Sequence, residues 1–153
     1  MAAARKRRAR PSRTSADQAL AERVGHGMYA RDRAARMLGI QLDAIAPGVA
    51  RMSMTVTRRM LNGHAICHGG IIFTLADTAF AYACNARNRL SVALRCDISF
   101  CRPARLGEVL TATAEERQLA GRTGVYDITV ANAAGEDVAL FRGTSYGTSG
   151  TVV

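Results

Sequence analysis

Asp77 interrupts an otherwise apolar stretch, Ile71 to Cys84, that contains no Lys or Arg to pair with it. Burying an unpaired carboxylate is costly and usually shifts its pKa instead. A chain that keeps one there has a use for it. The stretch is reached through Cys67-His68-Gly69-Gly70, a small-residue turn leading straight into a helix. The free N–H groups and positive end of that helix face whatever lies near His68 and Gly69. A carboxylate two turns down a helix whose start favours negative charge describes a reaction site.

The elements that must position these groups follow from the hydrophobic pattern. Residues 16–38 carry Leu20, Val24, Met28, Ala35 and Leu38 at helical spacing, and Gly25 and Gly27 predict that this helix comes in two pieces. Residues 39–45 and 49–57 alternate in the strand manner around Pro47-Gly48, which predicts a β-hairpin. A connection through Asn62-Gly63-His64 leads to the apolar helix, read from about Gly70 to Asn85 or Ala86. Strands are then predicted over Ser91–Cys101, Val109–Arg117, around Tyr126–Val130 and around Val138–Phe141, with turns at Gly121-Arg122-Thr123-Gly124 and Ala134-Gly135-Glu136. Runs of strands broken by one helix imply an α+β fold. The apolar helix lacks a polar stripe and must be covered on most sides, which a strongly curved antiparallel sheet would do. Such a sheet leaves edges exposed, so a partner chain is expected.

The 153 residues fit one domain with a real core, and 48% of them are hydrophobic. Of the net charge of +9, six positive charges fall at Arg5, Lys6, Arg7, Arg8, Arg10 and Arg13 with no acid among them, leaving only +3 for the rest. Residues 1–15 are read as a basic disordered tail and residues 16–153 as the domain. Nucleic acid is not an expected partner, except through that tail. There is no secretory signal and no apolar run long enough to span a bilayer, so a cytoplasmic protein without a membrane partner is expected. Cys67, Cys84, Cys96 and Cys101 form no CxxC pair, and most of them read as reduced, buried small hydrophobes. The spacing of Cys67, His68 and His64 does not suit a metal, and none is expected.

The pattern Asn62-Gly63-His64, His68-Gly69-Gly70 and Asp77 resembles the hotdog-fold acyl-CoA thioesterases, in particular the phenylacetate-degradation branch. The same branch is matched by Ala76 to Asn85, Phe100-Cys101-Arg102-Pro103-Ala104, Thr123 to Ile128 and Val138 to Gly143. The resemblance covers about residues 28–148. It implies a curved antiparallel sheet wrapped around one long central helix, paired into homodimers and commonly homotetramers. It also implies active sites at the dimer interface, built from both chains. The substrates would be CoA thioesters, among them aryl-acetyl ones, with ring-hydroxylated groups such as hydroxyphenylacetyl included. No cofactor would be needed, coenzyme A being part of the substrate.

Carried over residue by residue, the resemblance makes Asp77 the catalytic carboxylate, acting as nucleophile on the thioester carbonyl or as base toward water. Gly69 would polarise the carbonyl through its backbone N–H. His68 would shape the site, and Asn62 would orient the water or the carboxylate. Gly70 reads as a turn glycine beside the substrate, and Thr74, one helical turn before Asp77, is placed to reach its carboxylate. Some family members carry a Ser or Thr on the strand after the helix; here Val92-Ala93-Leu94-Arg95-Cys96 has no hydroxyl, and Arg95 is a candidate clamp for a polar acyl group. Arg122 and Arg142, with Arg58, Arg59 and Arg102, are candidates for the CoA phosphates. Two alternatives stand beside hydrolysis: a non-catalytic acyl-CoA binding protein, and an enoyl-thioester hydratase of the same fold. The Asn62/His68/Asp77 set favours hydrolysis over hydration.

Overall fold

The computed structural model describes residues 14–153, so the basic tail read over residues 1–15 lies outside the described residues except for Thr14 and Ser15. Thr14 caps α1 (Ser15–Arg31), its hydroxyl oxygen accepting from the Asp17 N–H. The helix runs unbroken through Gly25 and Gly27, where the sequence predicts an interruption. Close packing explains the glycine at 25: a Cβ there would meet Leu42 Cδ2 at 3.0 Å and Ile45 Cδ1 at 3.1 Å. The break falls instead at Asp32, where ψ of 88° leaves helical space and the carboxylate accepts from the Ala35 N–H to start α2 (Arg33–Met37).

β1 (Gln41–Ala46) and β2 (Val49–Thr55) form the expected hairpin across Pro47-Gly48. Gly48 supplies the positive φ of 72° that the turn requires. A short 3₁₀ turn (Arg58–Met60) leads to the long helix α3 (Gly69–Asn85), one residue earlier than the sequence indicates. β3 (Ser91–Phe100), β4 (Val109–Ala120), β5 (Thr123–Ala131) and β6 (Asp137–Gly147) follow. All pairings are antiparallel, and the six strands lie in the order β1-β2-β4-β5-β6-β3.

Helix α3 touches every one of the strands. Strands lie about 4.8 Å apart and a helix is about 10 Å across, so a flat sheet of this width could not reach it everywhere. The sheet therefore curls around α3, giving the α+β hotdog arrangement expected. Ile72, Leu75, Ala76, Ala79, Phe80 and Ala83 of the helix are buried against it. Phe80 packs between Tyr126 and Phe141 at centroid distances of 5.5 and 6.1 Å. Gly143 of β6 lets the Phe80 ring lie on the strand backbone, since a Cβ there would be 2.8 Å from three ring atoms.

Strand β3 runs antiparallel along the helix and forms one edge of the sheet. At one end Asn85 bonds both the N–H and the carbonyl of Ser91, at 2.9 and 3.0 Å. Midway Cys96 meets Asp77, and at the other end Phe100 covers Gly69. Along this edge, among exposed polar residues, three large apolar side chains also lie open: Val92 is 52%, Leu94 65% and Phe100 53% exposed.

Candidate active site

At the start of α3, His68 is the N-cap, with extended backbone (φ −61°, ψ 133°). Its Nδ1 accepts from the Gly70 N–H at 2.9 Å, and its own N–H donates to the Met60 carbonyl at 2.8 Å. With Nδ1 occupied as an acceptor, the ring proton is on Nε2. The His68 carbonyl takes the N–H groups of Ile71 and Ile72. That leaves one donor of the first turn unused: the Gly69 N–H has no partner among the described residues. It is the donor that the macrodipole makes most receptive to negative charge.

Gly69 lies in a cleft of about 510 Å³, lined also by Asn62, Ile66, Ile72, Phe100 and Arg102. Asn62 serves the loop first. Its Oδ1 accepts from the His64 N–H at 2.9 Å, and its own N–H donates to the Ile66 carbonyl at 2.8 Å, closing a turn in which Ala65 takes a φ of 58°. The Asn62 side-chain NH₂ has no partner among the described residues, so a donor remains beside the cleft. Arg102 lines the same cleft but is engaged by Glu136 at 2.8 Å and by the Asp137 carbonyl at 3.0 Å.

Asp77 is half-buried between α3 and β3. Its Oδ1 accepts from the Cys96 thiol, with sulfur and oxygen 3.8 Å apart, and no cation pairs with it among the described residues. Burial pushes its pKa up from the ordinary carboxylate value, and the thiol donor holds it partly down. The thiol is itself pushed up to about 11, first by its own burial and then by the Asp77 charge. Cys84, buried two turns farther along the same face of α3, rises to about 12, chiefly through burial. Both are protonated at neutral pH, so Cys96 faces Asp77 as an S–H donor and not as a thiolate. The expectation that most of the cysteines are buried holds for Cys67 and Cys84 only: Cys96 is half-buried against Asp77, and Cys101 is exposed.

The remaining candidates are placed differently. Thr74 does not reach Asp77; its hydroxyl donates to the Gly70 carbonyl at 2.8 Å, and Thr78 donates to the Thr74 carbonyl in turn. Gly70 lies in the first turn, its N–H already taken by His68. Arg95 pairs with Thr144 in the β3–β6 ladder and sits on the outer face of the sheet, away from α3. Arg142 is on that face too, where it makes a two-pronged contact with Asp127 at 2.6 and 2.9 Å and holds that carboxyl below its usual range. Arg122 lies toward the C-terminal end of α3, stacked 6.0 Å from the Tyr146 ring centre. None of these three arginines joins Gly69 or Asp77 within one chain.

Gly69 and Asp77 are themselves apart. Eight residues of α-helix rise about 12 Å, so one carbonyl cannot touch both groups of the same chain. Among the described residues no cluster of three or more His, Cys, Asp or Glu could hold a metal ion, and no helix is long and apolar enough to cross a membrane.

Comparison with known proteins places the chain in a family and bears out its fold. The thioesterase superfamily model matches residues 64–139. The acyl-coenzyme A thioesterase PaaI of Escherichia coli K12 is 51% identical over 127 residues, covering 83% of this chain and 91% of that protein. The structure of E. coli PaaI, from the phenylacetic acid degradation operon, superposes with a TM-score of 0.86 at 49% identity, over 88% of this chain and 97% of that one. A Streptococcus mutans protein solved with acetyl-CoA is 26% identical, with a TM-score of 0.70 over 73% of this chain and 90% of its own.

Proposed function

This chain belongs to the thioesterase superfamily, as an acyl-CoA thioesterase of phenylacetate degradation, and we propose that it hydrolyses aryl-acetyl-CoA esters, ring-hydroxylated ones included, to the acid and free coenzyme A. The observation that carries the reading is the half-buried Asp77 carboxylate, on the helix whose first N–H is free; among the described residues neither group has a cation or hydrogen-bond partner beyond the Cys96 thiol on Asp77. An aryl-acetyl group suits the largely apolar cleft beside that N–H, walled by Ile66, Ile72 and the Phe100 ring.

In this reading the thioester carbonyl oxygen accepts from the Gly69 N–H. Asp77 takes a proton from a water whose oxygen attacks the carbonyl carbon. The C–S bond of the resulting tetrahedral oxyanion breaks, and the coenzyme A sulfur recovers the proton from Asp77. A carboxylate with a raised pKa is well matched to that exchange. Asn62 lends its free NH₂ to the water or carboxylate, and His68 acts by capping the turn that presents Gly69.

The site takes Gly69 from one chain and Asp77 from another, since the two are about 12 Å apart along one helix. The edge of β3, with Val92, Leu94 and Phe100 open, is the surface for the second copy, because a long uncovered edge strand invites pairing. The working form is then a homodimer or homotetramer acting in the cytoplasm.

Thiol release from a panel of CoA esters tests this, phenylacetyl and hydroxyphenylacetyl included, with wild type and Asp77→Asn side by side. The expected result is turnover on the aryl-acetyl esters that falls at least about a hundredfold in the variant. Equal release by both proteins refutes the assignment of Asp77. No release from any ester by a protein that still binds coenzyme A makes it a binding protein.

A further inference from the structure

We propose that Cys96 is a positioning residue for Asp77, its thiol holding Oδ1 so that Oδ2 is the oxygen presented for reaction. The inference rests on the role given to Asp77 above and goes beyond it, to the group that aims the carboxylate.

Two independent observations carry it. The first is the contact itself: the Cys96 Sγ lies 3.8 Å from Asp77 Oδ1, while Oδ2 has no hydrogen-bond partner among the described residues. The carboxylate is thus held at one oxygen and open at the other. A sulfur donor suits this task, because it is weak enough to steer the carboxylate without lowering its basicity as far as a cation would.

The second is the way β3 is built. Its ladder to β6 runs Ala93↔Ser145, Arg95↔Thr144, Cys96↔Gly143, with a register shift that leaves Leu94 as an extra residue. Without that bulge Arg95 would pair with Gly143 and point at the helix, bringing a guanidinium against Asp77. With it, Arg95 turns to the outer face and Cys96 takes the inner position. Bulges re-aim side chains in this manner beside active sites. Ile98 and Phe100 continue the inward face down to Gly69, so the bulge sets the whole run of β3 against α3.

The titratable groups bearing on the carboxylate are Cys96, from β3, and Cys84, which is farther along α3 and feels its charge. Removing the thiol therefore removes the one donor among the described residues that favours the ionised form.

The test compares Cys96→Ala, Cys96→Ser and Asp77→Asn with wild type, in steady-state kinetics across pH and in thermal melts. Losing one net hydrogen bond predicts that Cys96→Ala lowers kcat about three- to tenfold, with KM little changed. The acid limb of the kcat/KM profile moves upward at the same time. Cys96→Ser, whose hydroxyl is also a donor, recovers part of both. A Cys96→Ala profile that overlays wild type overturns the proposal. So does a fall in kcat and melting temperature that leaves the acid limb in place and is equal in the Ser variant, since that is loss of packing alone. If Asp77→Asn stays fully active, the reading of the site fails first; if it is inactive and the Cys96 variants match wild type, only this inference fails.

Discussion

Asp77→Asn should lose activity and gain stability. The amide has the shape of the carboxylate, and its Oδ1 can still accept from the Cys96 thiol. What changes is charge. Burial raises the folded-state pKa of Asp77 above its unfolded value. A group of that kind contributes stability that is fully present below the unfolded pKa and is lost as pH rises through the folded one. At neutral pH the wild type therefore bears the cost of an ionised, half-buried carboxylate, and the Asn variant does not. Relief of a destabilising functional group is usually worth about 0.5–2 kcal/mol, and the partial exposure of Asp77 favours the lower end. For a domain of this size each kcal/mol moves the melting temperature about 2–4 °C, so a rise of about 1–8 °C is expected. Melts of both proteins at equal concentration, from about pH 4 to pH 8, span the titration of a carboxylate. The gap should be widest at neutral pH and close as the wild-type carboxyl takes up its proton. A variant that melts below wild type at neutral pH, or a gap independent of pH, refutes the reasoning.

Three other outcomes follow from named contacts. His68→Ala deprives the Gly70 N–H of its acceptor and should cost about 1 kcal/mol, whereas His68→Asn keeps a capping oxygen and should melt close to wild type. Gly143→Ala drives a methyl group to 2.8 Å from three atoms of Phe80, which is 1% exposed, and should lower stability by about 1–3 kcal/mol, read as a lower urea midpoint at unchanged slope. Leu94→Lys charges the uncovered edge of β3, where Leu94 is 65% exposed; light scattering should then show a monomer, with thiol release lost alongside the assembly.

Much of this molecule was legible from local pattern. The order of elements, the hairpin at Pro47-Gly48, the all-round apolar α3 and the small-residue turn that leads into it each follow from short-range chemistry. What the pattern missed depends on contacts distant in sequence. Gly25 reads as a helix breaker, yet the helix continues because Leu42 and Ile45 pack where a side chain would be. Thr74 has the spacing to meet Asp77, but its hydroxyl finds the nearer Gly70 carbonyl. Arg95 and Cys96 exchange faces on account of one extra residue at Leu94, and a single-residue slip inverts every side chain of a strand. Alternation alone could have suggested that Cys96, Ile98 and Phe100 share the inward face; only the register with β6 shows where that alternation restarts.

The separation of Gly69 and Asp77 permits a direct test of whether two chains build each site. Gly69 is the first residue of α3, and His68 before it is extended. Proline is favoured at a first helical position and tolerates an extended residue ahead of it. Gly69→Pro therefore deletes the unpartnered N–H while leaving the helix its normal start, the exposed Phe100 ring giving way to the added atoms. Removing one such donor should lower kcat about 10²–10³-fold. A homodimer of Gly69→Pro and a homodimer of Asp77→Asn are then both inactive, for different reasons. In a mixed dimer with shared sites, one site holds both lesions and the other holds neither. Random pairing of equal amounts gives about half mixed dimers, each with one intact site of two, so about a quarter of wild-type activity should return. Unfolding and refolding the two variants together provides the mixture, and refolding each alone provides the control. If every site were confined to one chain, no pairing could unite an intact Gly69 with an intact Asp77, and the mixture would stay as inactive as its parts.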